Sequence, residues 1–455
     1  MTSRILIPIL WLALSSAAHA TQPQLSLVAT WDSSEPEGTE ILSYQPKTRT
    51  LAVSNSEAGK IDLVSLARPN LPMHIRTLDL ELPDSHTINS VAFHPDQDVL
   101  AAAVAGPVGS VGEIQLLNLH GKVLARYAAG HGPDDVCFSP SGEWLAVANE
   151  AEEYWAEGGK WHSHPGSVTL IDLTEGLLEG VVREVRFKPL PQRHGLTTLD
   201  AGRFLEREID GEEVEIPFDS GDPAHLEPEY TAFAPDEATV YVSLQENNGI
   251  AVVDTASATV RGIIALGVTE HMADLDDDGR VSFTETLRAF REPDQIAVTP
   301  DGRYLVTADE GDTDPKASKT RQGPAGGGRT LSVVDLAAAE VIGDTGNQLD
   351  EAAHAAGIYP DGRSDNKGSE PEGVITFEAE SRAWAIVALE RADALVLVDL
   401  EEPSAPQVRE ILSLRGEGDG KLAPEGIVAF EQDGVRYVAT ANEKAGTVSI
   451  VAIEF

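Results

Sequence analysis

The chain has 455 residues, with 75 acidic against 33 basic side chains and a formal net charge of −42. A surface this negative repels phosphodiester backbones and anionic lipid, so nucleic acid and anionic membranes are excluded as partners, while cations are attracted and solubility is favoured. One cysteine, Cys137, excludes an internal disulfide framework and any cysteine-rich zinc site, so folding has to rest on burial alone.

Residues 1–20 combine a basic Arg4, an apolar run over 5–14 and the small-residue site Ala18-His19-Ala20. This pattern is a secretory signal peptide cleaved after Ala20, which places the mature chain in the periplasm or outside the cell. No later run is long and apolar enough to span a bilayer, so no membrane span is expected.

After the leader the chain repeats itself, and residues 228–260 hold the plainest copy. Runs at 230–234, 240–244 and 250–254 are apolar or alternating, rich in β-branched and aromatic residues, and read as strands. Pro235-Asp236-Glu237 and Asn247-Asn248-Gly249 between them favour tight turns, which makes the unit an antiparallel meander. Earlier and weaker copies use 51–54 with 61–64, then 90–94, 99–104 and 114–118. Further copies begin at Pro133-Asp134, Pro293-Asp294, Pro371-Glu372 and Pro424-Glu425. About seven such units predict an all-β, seven-bladed β-propeller forming one domain over 21–455, with 25–30 available to close the ring against the last unit. Cys137 falls in a predicted inner strand, where a buried small hydrophobe is expected rather than a reactive thiol.

In an up-and-down meander, the start of the first strand and the end of the second lie at one end of the barrel. The long excursions at 151–166, 188–226, 267–292, 311–328 and 343–369 all map to that end, which makes it the expected functional face. Carboxylates gather there too. Units begin at Glu40, Asp134, Glu229, Asp294, Glu372 and Glu425, and second strands end at Glu57, Glu150, Glu246, Glu310, Glu390 and Glu443. Like charges so close require cations, basic partners, hydrogen bonds or raised pKa values. Two readings stay open: the carboxylates accept backbone N–H bonds and staple the ring, or they hold cations. Under the second, Glu229, Glu246, Asp294, Glu310, Glu372 and Glu390 form a possible second metal or ligand face.

The most specific motif is an EF-hand-like loop inserted at 274–285. Asp274, Asp276 and Asp278 would supply carboxylates, Arg280 its backbone carbonyl, Ser282 a direct or water-bridged contact and Glu285 both oxygens to a Ca2+ ion. Gly279 would permit the central turn. Residues 268–273 are too few for an entering helix, whereas 284–290 are expected to form about two exiting helical turns. Without a second hand, the loop reads as a structural site rather than a sensor. By contrast, GPAGGGRT at 323–330 is no P-loop, since Arg329 replaces the lysine and a strand follows. His162 and His164, near Tyr154, Trp155 and Trp161, could contact a metal or simply pack over the blade. No nucleophile elbow or HExxH is present, so catalytic residues are not identified.

The repeats GPDDVCFSPSGEWLAVANE, EPEYTAFAPDEATVYVSLQENNGIAVVD, EPDQIAVTPDGRYLVTADEGD, EPEGVITF and APEGIVAF together resemble the choice-of-anchor I family of secreted bacterial propellers, related to YVTN and lactonase-like repeats. The resemblance covers nearly all of the mature chain and implies a propeller. Some relatives carry anchors, appended catalytic domains or a phosphatase description; here a predicted strand runs to Phe455, so neither anchor nor appended enzyme is expected. The expectation is therefore an exported, calcium-binding binding or scaffold module that takes a protein, glycan or small-molecule partner at its acidic long-loop face. The alternatives are a calcium-dependent phosphoesterase, or a lactonase-like hydrolase with metal in the central funnel.

Overall fold

The computed structural model describes residues 23–455 apart from 36–37, 57, 152–153, 157–159, 163, 189–203, 210–211, 218–224, 314–322 and 417–419. The proposed leader and Glu57 lie outside the described residues.

Seven four-stranded antiparallel sheets account for the repeats. The first blade is Leu42–Gln45, Thr50–Asn55, Lys60–Ser65 and Met73–Asp79. The remaining six open with inner strands Thr87–Phe93, Pro133–Phe138, Pro228–Phe233, Pro293–Val298, Pro371–Ala379 and Pro424–Gln432. Successive inner strands lie beside one another, so the blades surround a common axis. Middle strands such as Val99–Ala105 and Ala394–Asp399 are buried along their whole length, which is why they read as continuous apolar runs. The outer strand Met73–Asp79 is exposed at all positions but Leu78.

Blades pack face to face through apolar side chains. Ala146, Val168 and Leu170 of the third blade meet Val240, Val242 and Ala251 of the fourth in one cluster. The ring closes where Gln24–Asp32 becomes the outer strand of the seventh blade, paired antiparallel with Thr447–Glu454 from Gln24 opposite Glu454 to Asp32 opposite Thr447. Trp31 from this strand is buried with Leu51, Val53 and Val64 of the first blade and Val448 and Ile450 of the seventh.

Five inner strands share one irregularity. Pro133 faces Asn149, yet Val136 faces Val147, so an extra residue stands between them; Pro228, Pro293, Pro371 and Pro424 begin the same shift. This is a β-bulge, and proline suits it because a first strand residue has no ladder bond to donate. The residue after each proline is an acid: Asp134, Glu229, Asp294, Glu372 and Glu425.

The segment around the EF-hand-like loop departs from expectation. Residues 284–290 do not form helical turns. Val268–Ala273 and Glu285–Phe290 make a two-stranded hairpin, with Ala273 opposite Glu285. The reason is a period of two: Leu287 and Ala289 are buried while Thr286 and Arg288 are exposed, and the buried pair packs with Ala273 and Leu275. The one α-helix of more than a single turn among the described residues, α1 (Gln348–Ala355), lies instead between the fifth and sixth blades.

Replacing Trp31 by Ala removes the largest apolar side chain at the closure. The expected cost is about 3 kcal/mol in urea unfolding, with amide exchange accelerated first in Gln24–Asp32 and Thr447–Glu454; an unchanged midpoint would contradict this role.

Candidate functional site: an acid-ringed channel

The inner strands enclose a cavity of about 420 Å³ whose walls include Ile41, Ser90, Asp135, Tyr230, Gln295 and Gly426, one residue from each of six blades. Adjoining it, a space of about 240 Å³ is lined by Glu40, Asn89, Asp134, Tyr230 and Glu425. Cys137 lines this channel half-buried, where Thr231 Oγ1 lies 3.1 Å from its sulfur; burial raises its thiol pKa, which suits the expected inert role better than a nucleophilic one.

The bulges gather the acids. Asp134 is influenced by Asp135, Asp294 and Glu40; Glu229 by Glu150, Asp134, Glu246 and Asp294; and Glu425 by Glu40, Glu443, Asp294 and Glu390. These influences cross the axis, so the six carboxylates expected at the blade starts form one ring. The seventh place, in the second blade, is filled by Asn89, whose amide donates to Asp134 at 3.4 Å. The acids that follow the second strands are tied to the same level by a repeated bond. Backbone N–H groups of Glu150, Glu310, Glu390 and Glu443 donate to the carbonyls of Gly132, Glu292, Glu370 and Ala423, each just before the inner-strand proline.

Burial is the main cause of the perturbed acidities. It pushes Asp134 up to about 7 with help from neighbouring carboxylates, and Asp294 up to about 6 against the hydrogen bond with Glu372. Glu390 reaches about 8 through burial and its hydrogen bond to Glu370. Glu229, Glu310, Glu372 and Glu425 are likewise raised well above the usual carboxylate range.

Two built-in cations break this pattern on one side. Lys367 Nζ pairs with Glu310 and lies 2.6 Å from Glu370, while Arg391 pairs with Glu370 and reaches Glu390 at 2.7 Å. Burial alone would raise Glu370, but the hydrogen bond with Glu390 and these two charges hold it below its usual range. Burial likewise opposes the charge of Lys367, and Glu310 and Glu370 outweigh it. Glu310, Glu370 and Glu372 are the one set of three potential metal ligands within 4.8 Å among the described residues, and an ammonium already sits against two of them. The repeated bonds join backbone groups within one blade rather than carboxylates to the backbone N–H groups of a neighbouring one, and the cations held here are the chain's own Lys367 and Arg391.

Glu370, Lys367, Arg391 and Asn89 were not singled out from sequence. The signal available was Glu-Pro-acid, which recurs at Glu227, Glu292 and Glu370, all of them buried. Glu292 shows what the glycine-rich stretch does: Gly327 N donates to its carboxylate at 2.9 Å and Thr313 N at 3.1 Å. The loop that resembles a phosphate cradle holds an internal carboxylate, and Gly327, at φ +74°, has no room for a Cβ beside Asp312 N. His164 stacks on His131 with ring centres 3.9 Å apart and 6° between planes. The side chains of Tyr154, Trp155, Trp161 and His162 lie outside the described residues.

The EF-hand-like loop stands apart from the ring. Asp274 is buried, whereas Asp276, Asp278, Arg280, Ser282 and Glu285 are exposed. Gly279 adopts φ +82°, as the central turn requires. Arg280 N donates to Asp278 Oδ1 at 2.9 Å, and Gly279 N donates to Asp361 from another connection at 2.8 Å. The loop's own carboxylates do not converge in threes within 4.8 Å.

Fold and site together define a seven-bladed propeller whose channel opens through a carboxylate ring. The chain belongs to the choice-of-anchor I family, whose domain it matches over residues 40–324 and 313–403. No curated protein matches it in sequence. Three solved structures are similar in fold. Kuenenia stuttgartiensis hydrazine synthase has a TM-score of 0.56 at 13% identity, covering 91% of this chain and 96% of that one. The Cps50 (Swd1) β-propeller domain of Myceliophteria thermophila has 0.55 at 12%, covering 95% and 100%. Virginiamycin B lyase from Staphylococcus aureus has 0.53 at 10%, covering 95% and 99%. At such identities the likeness is one of fold alone.

Two outcomes follow from the ring. Asp134, Asp294 and Glu390 bind protons more tightly when folded, at about 7, 6 and 8, than unfolded carboxyls, which titrate near ~4. Their stabilisation is complete below pH ~4 and is lost as pH rises through those folded values, so metal-free thermal stability should decline between about pH 4 and 8. A flat or rising profile would contradict the assignment. Lys367→Met takes the cation from the buried Glu310 and leaves Glu370 with Arg391 alone, and should destabilise by about 3 kcal/mol in urea, with part regained in the Lys367→Met, Glu370→Gln double variant.

Proposed function

We propose that this chain is an exported binding or scaffold module that takes a cationic ligand, a metal ion or the basic groups of a partner, at the carboxylate ring. The observation that carries this reading is the ring itself: six of seven blades place an acid at one position beside the channel, and Lys367 and Arg391 offset it only at the fifth and sixth. Buried like charges are relieved by a bound cation, a basic group or proton uptake, and the first two are what a ligand supplies. The meander adds support, because blade-to-blade and second-to-third-strand connections share the end at which the ring stands. The fully described connections 266–292 and 345–370 lead directly into the inner-strand prolines of the fifth and sixth blades and fit that placement. Export rests on the leader-like residues 1–20 and on a family of bacterial cell-surface or secreted proteins. Among the described residues no helix is long and apolar enough to cross a membrane.

Calcium at 274–285 is the second part of the reading. The donors are oxygen atoms throughout, the spacing is that of a twelve-residue calcium loop, and Gly279 has the required conformation. Bound there, the ion would brace the hairpin Val268–Ala273 and Glu285–Phe290, drawing together carboxylates that otherwise stand apart.

Calorimetric titration of residues 21–455 with Ca2+ tests both parts. A site lost on Asp276→Asn or Glu285→Gln, and weaker binding lost on Glu229→Gln with Glu425→Gln, is the expected result; no binding at all would end the reading. A generic phosphomonoester in the same samples should not be turned over. Calcium-dependent turnover abolished by Glu310→Gln in a folded variant would make the hydrolase alternative the better one.

A further inference from the structure

The connection between the fifth and sixth blades meets the hairpin loop at several points. Asp361 Oδ2 accepts from Gly279 N at 2.8 Å, Asp365 N donates to Asp277 at 3.0 Å, and Ser364 Oγ donates to the buried Asp274 at 3.3 Å. Phe283 of the loop packs edge-on against Tyr359 and His354. Every one of these contacts falls within 354–365.

That connection also carries an excess of enclosed polar atoms without a hydrogen-bond partner. Asp361 Oδ1 is one, Asn366 Oδ1 and Ser369 Oγ are others, and Asp350 Oδ2 belongs to a side chain only 1% exposed. Asp350, Asp274 and the buried Arg329 all act on the Tyr359 hydroxyl, and Arg329 donates to the Asp274 carbonyl at 3.4 Å, so one internal cation already serves this seam. A buried carboxylate oxygen left without a donor is costly, and a cation satisfies it where a donor is lacking.

The same turn reaches the ring. Lys367 N and Gly368 N both donate to Arg363 O at 2.9 Å, Ser364 N donates to Asp361 O at 3.0 Å, and Asp312 N donates to Asn366 O at 3.0 Å. Five residues of compact chain therefore separate Asp361, held at the hairpin, from Lys367, whose ammonium sits between Glu310 and Glu370.

We propose that Asp361 supplies a carboxylate oxygen from outside the loop to the cation held at 274–285, so that the ion clamps the hairpin to the turn that positions Lys367 in the ring. This rests on the calcium reading above. The loop alone is short of converged ligands and has flanking strands in place of helices; Asp361, held to its centre by Gly279 N, brings one further carboxylate to it. Loading the rim site then holds Lys367 in place, which makes it a positioning device for the ring's own counterion.

Terbium(III), which occupies calcium sites and emits on energy transfer from a nearby phenol, reads this geometry. Tyr359 OH is 3.2 Å from Ser364 Oγ, which bridges to Asp274, so the wild-type chain should show tyrosine-sensitised emission that Ca2+ competes away. Tyr359→Phe should lose most of the emission while binding Ca2+ as before, and Asp361→Asn should weaken Ca2+ binding at least tenfold. Asp361→Asn binding with wild-type affinity, while Asp276→Asn abolishes binding, would overturn the clamp and leave the loop site standing. Absence of binding in the wild type, or its survival in Asp276→Asn, would overturn the loop reading itself and the clamp with it. Should Asp361→Asn fail to match the wild-type melt in chelator, Tyr359→Phe decides: undiminished sensitised emission places the ion away from the seam and refutes the proposal.

Discussion

Everything functional here depends on ring closure by antiparallel pairing of Gln24–Asp32 with Thr447–Glu454. Without that pairing the seven inner strands have no common axis, the channel has no wall, and the carboxylates lie on an open arc where solvent would screen them. Closure brings side chains from strands hundreds of residues apart to one level and withdraws water from between them. The acid ring is therefore a product of topology, and the bulge after each inner-strand proline turns that topology into a regular spacing.

Concentrating carboxylates in this way opposes folding, and the molecule answers it unevenly. At the third, fourth and seventh blades burial and neighbouring carboxylates raise the pKa values of Asp134, Glu229 and Glu425, which favours their neutral forms. At the fifth and sixth, Lys367 and Arg391 keep Glu370 ionised. Glu292 uses neither device and instead takes backbone N–H groups from the glycine-rich stretch. Three neighbouring Glu-Pro units thus solve one electrostatic problem differently.

Much of the architecture was legible because it is written in local terms. Period-two runs, the Asn247-Asn248-Gly249 turn with Asn248 at φ +54°, and the recurring proline with its acid located the blades and the ring. The hairpin around 274–285 is not legible in the sequence because 284–290 is short, and its alternation shows only once Leu287 and Ala289 have a partner strand to pack against. Lys367 and Arg391 escaped for another reason. A single basic residue in a long connection has no periodicity, and its meaning comes from Glu310, Glu370 and Glu390, which the chain delivers from elsewhere. Asn89 was passed over because a neutral residue among acids draws notice only when its place in the circle is known.

That place has a consequence of its own. In a circle of seven, the second blade stands opposite the space between the fifth and sixth, so neutral Asn89 faces Lys367 and Arg391 across one diameter. The scaffold is nearly sevenfold in shape but has a single polar direction in charge. A partner carrying more than one charge at the channel would settle in one rotational pose out of seven, and the propeller would act as an oriented socket with a stoichiometry of one.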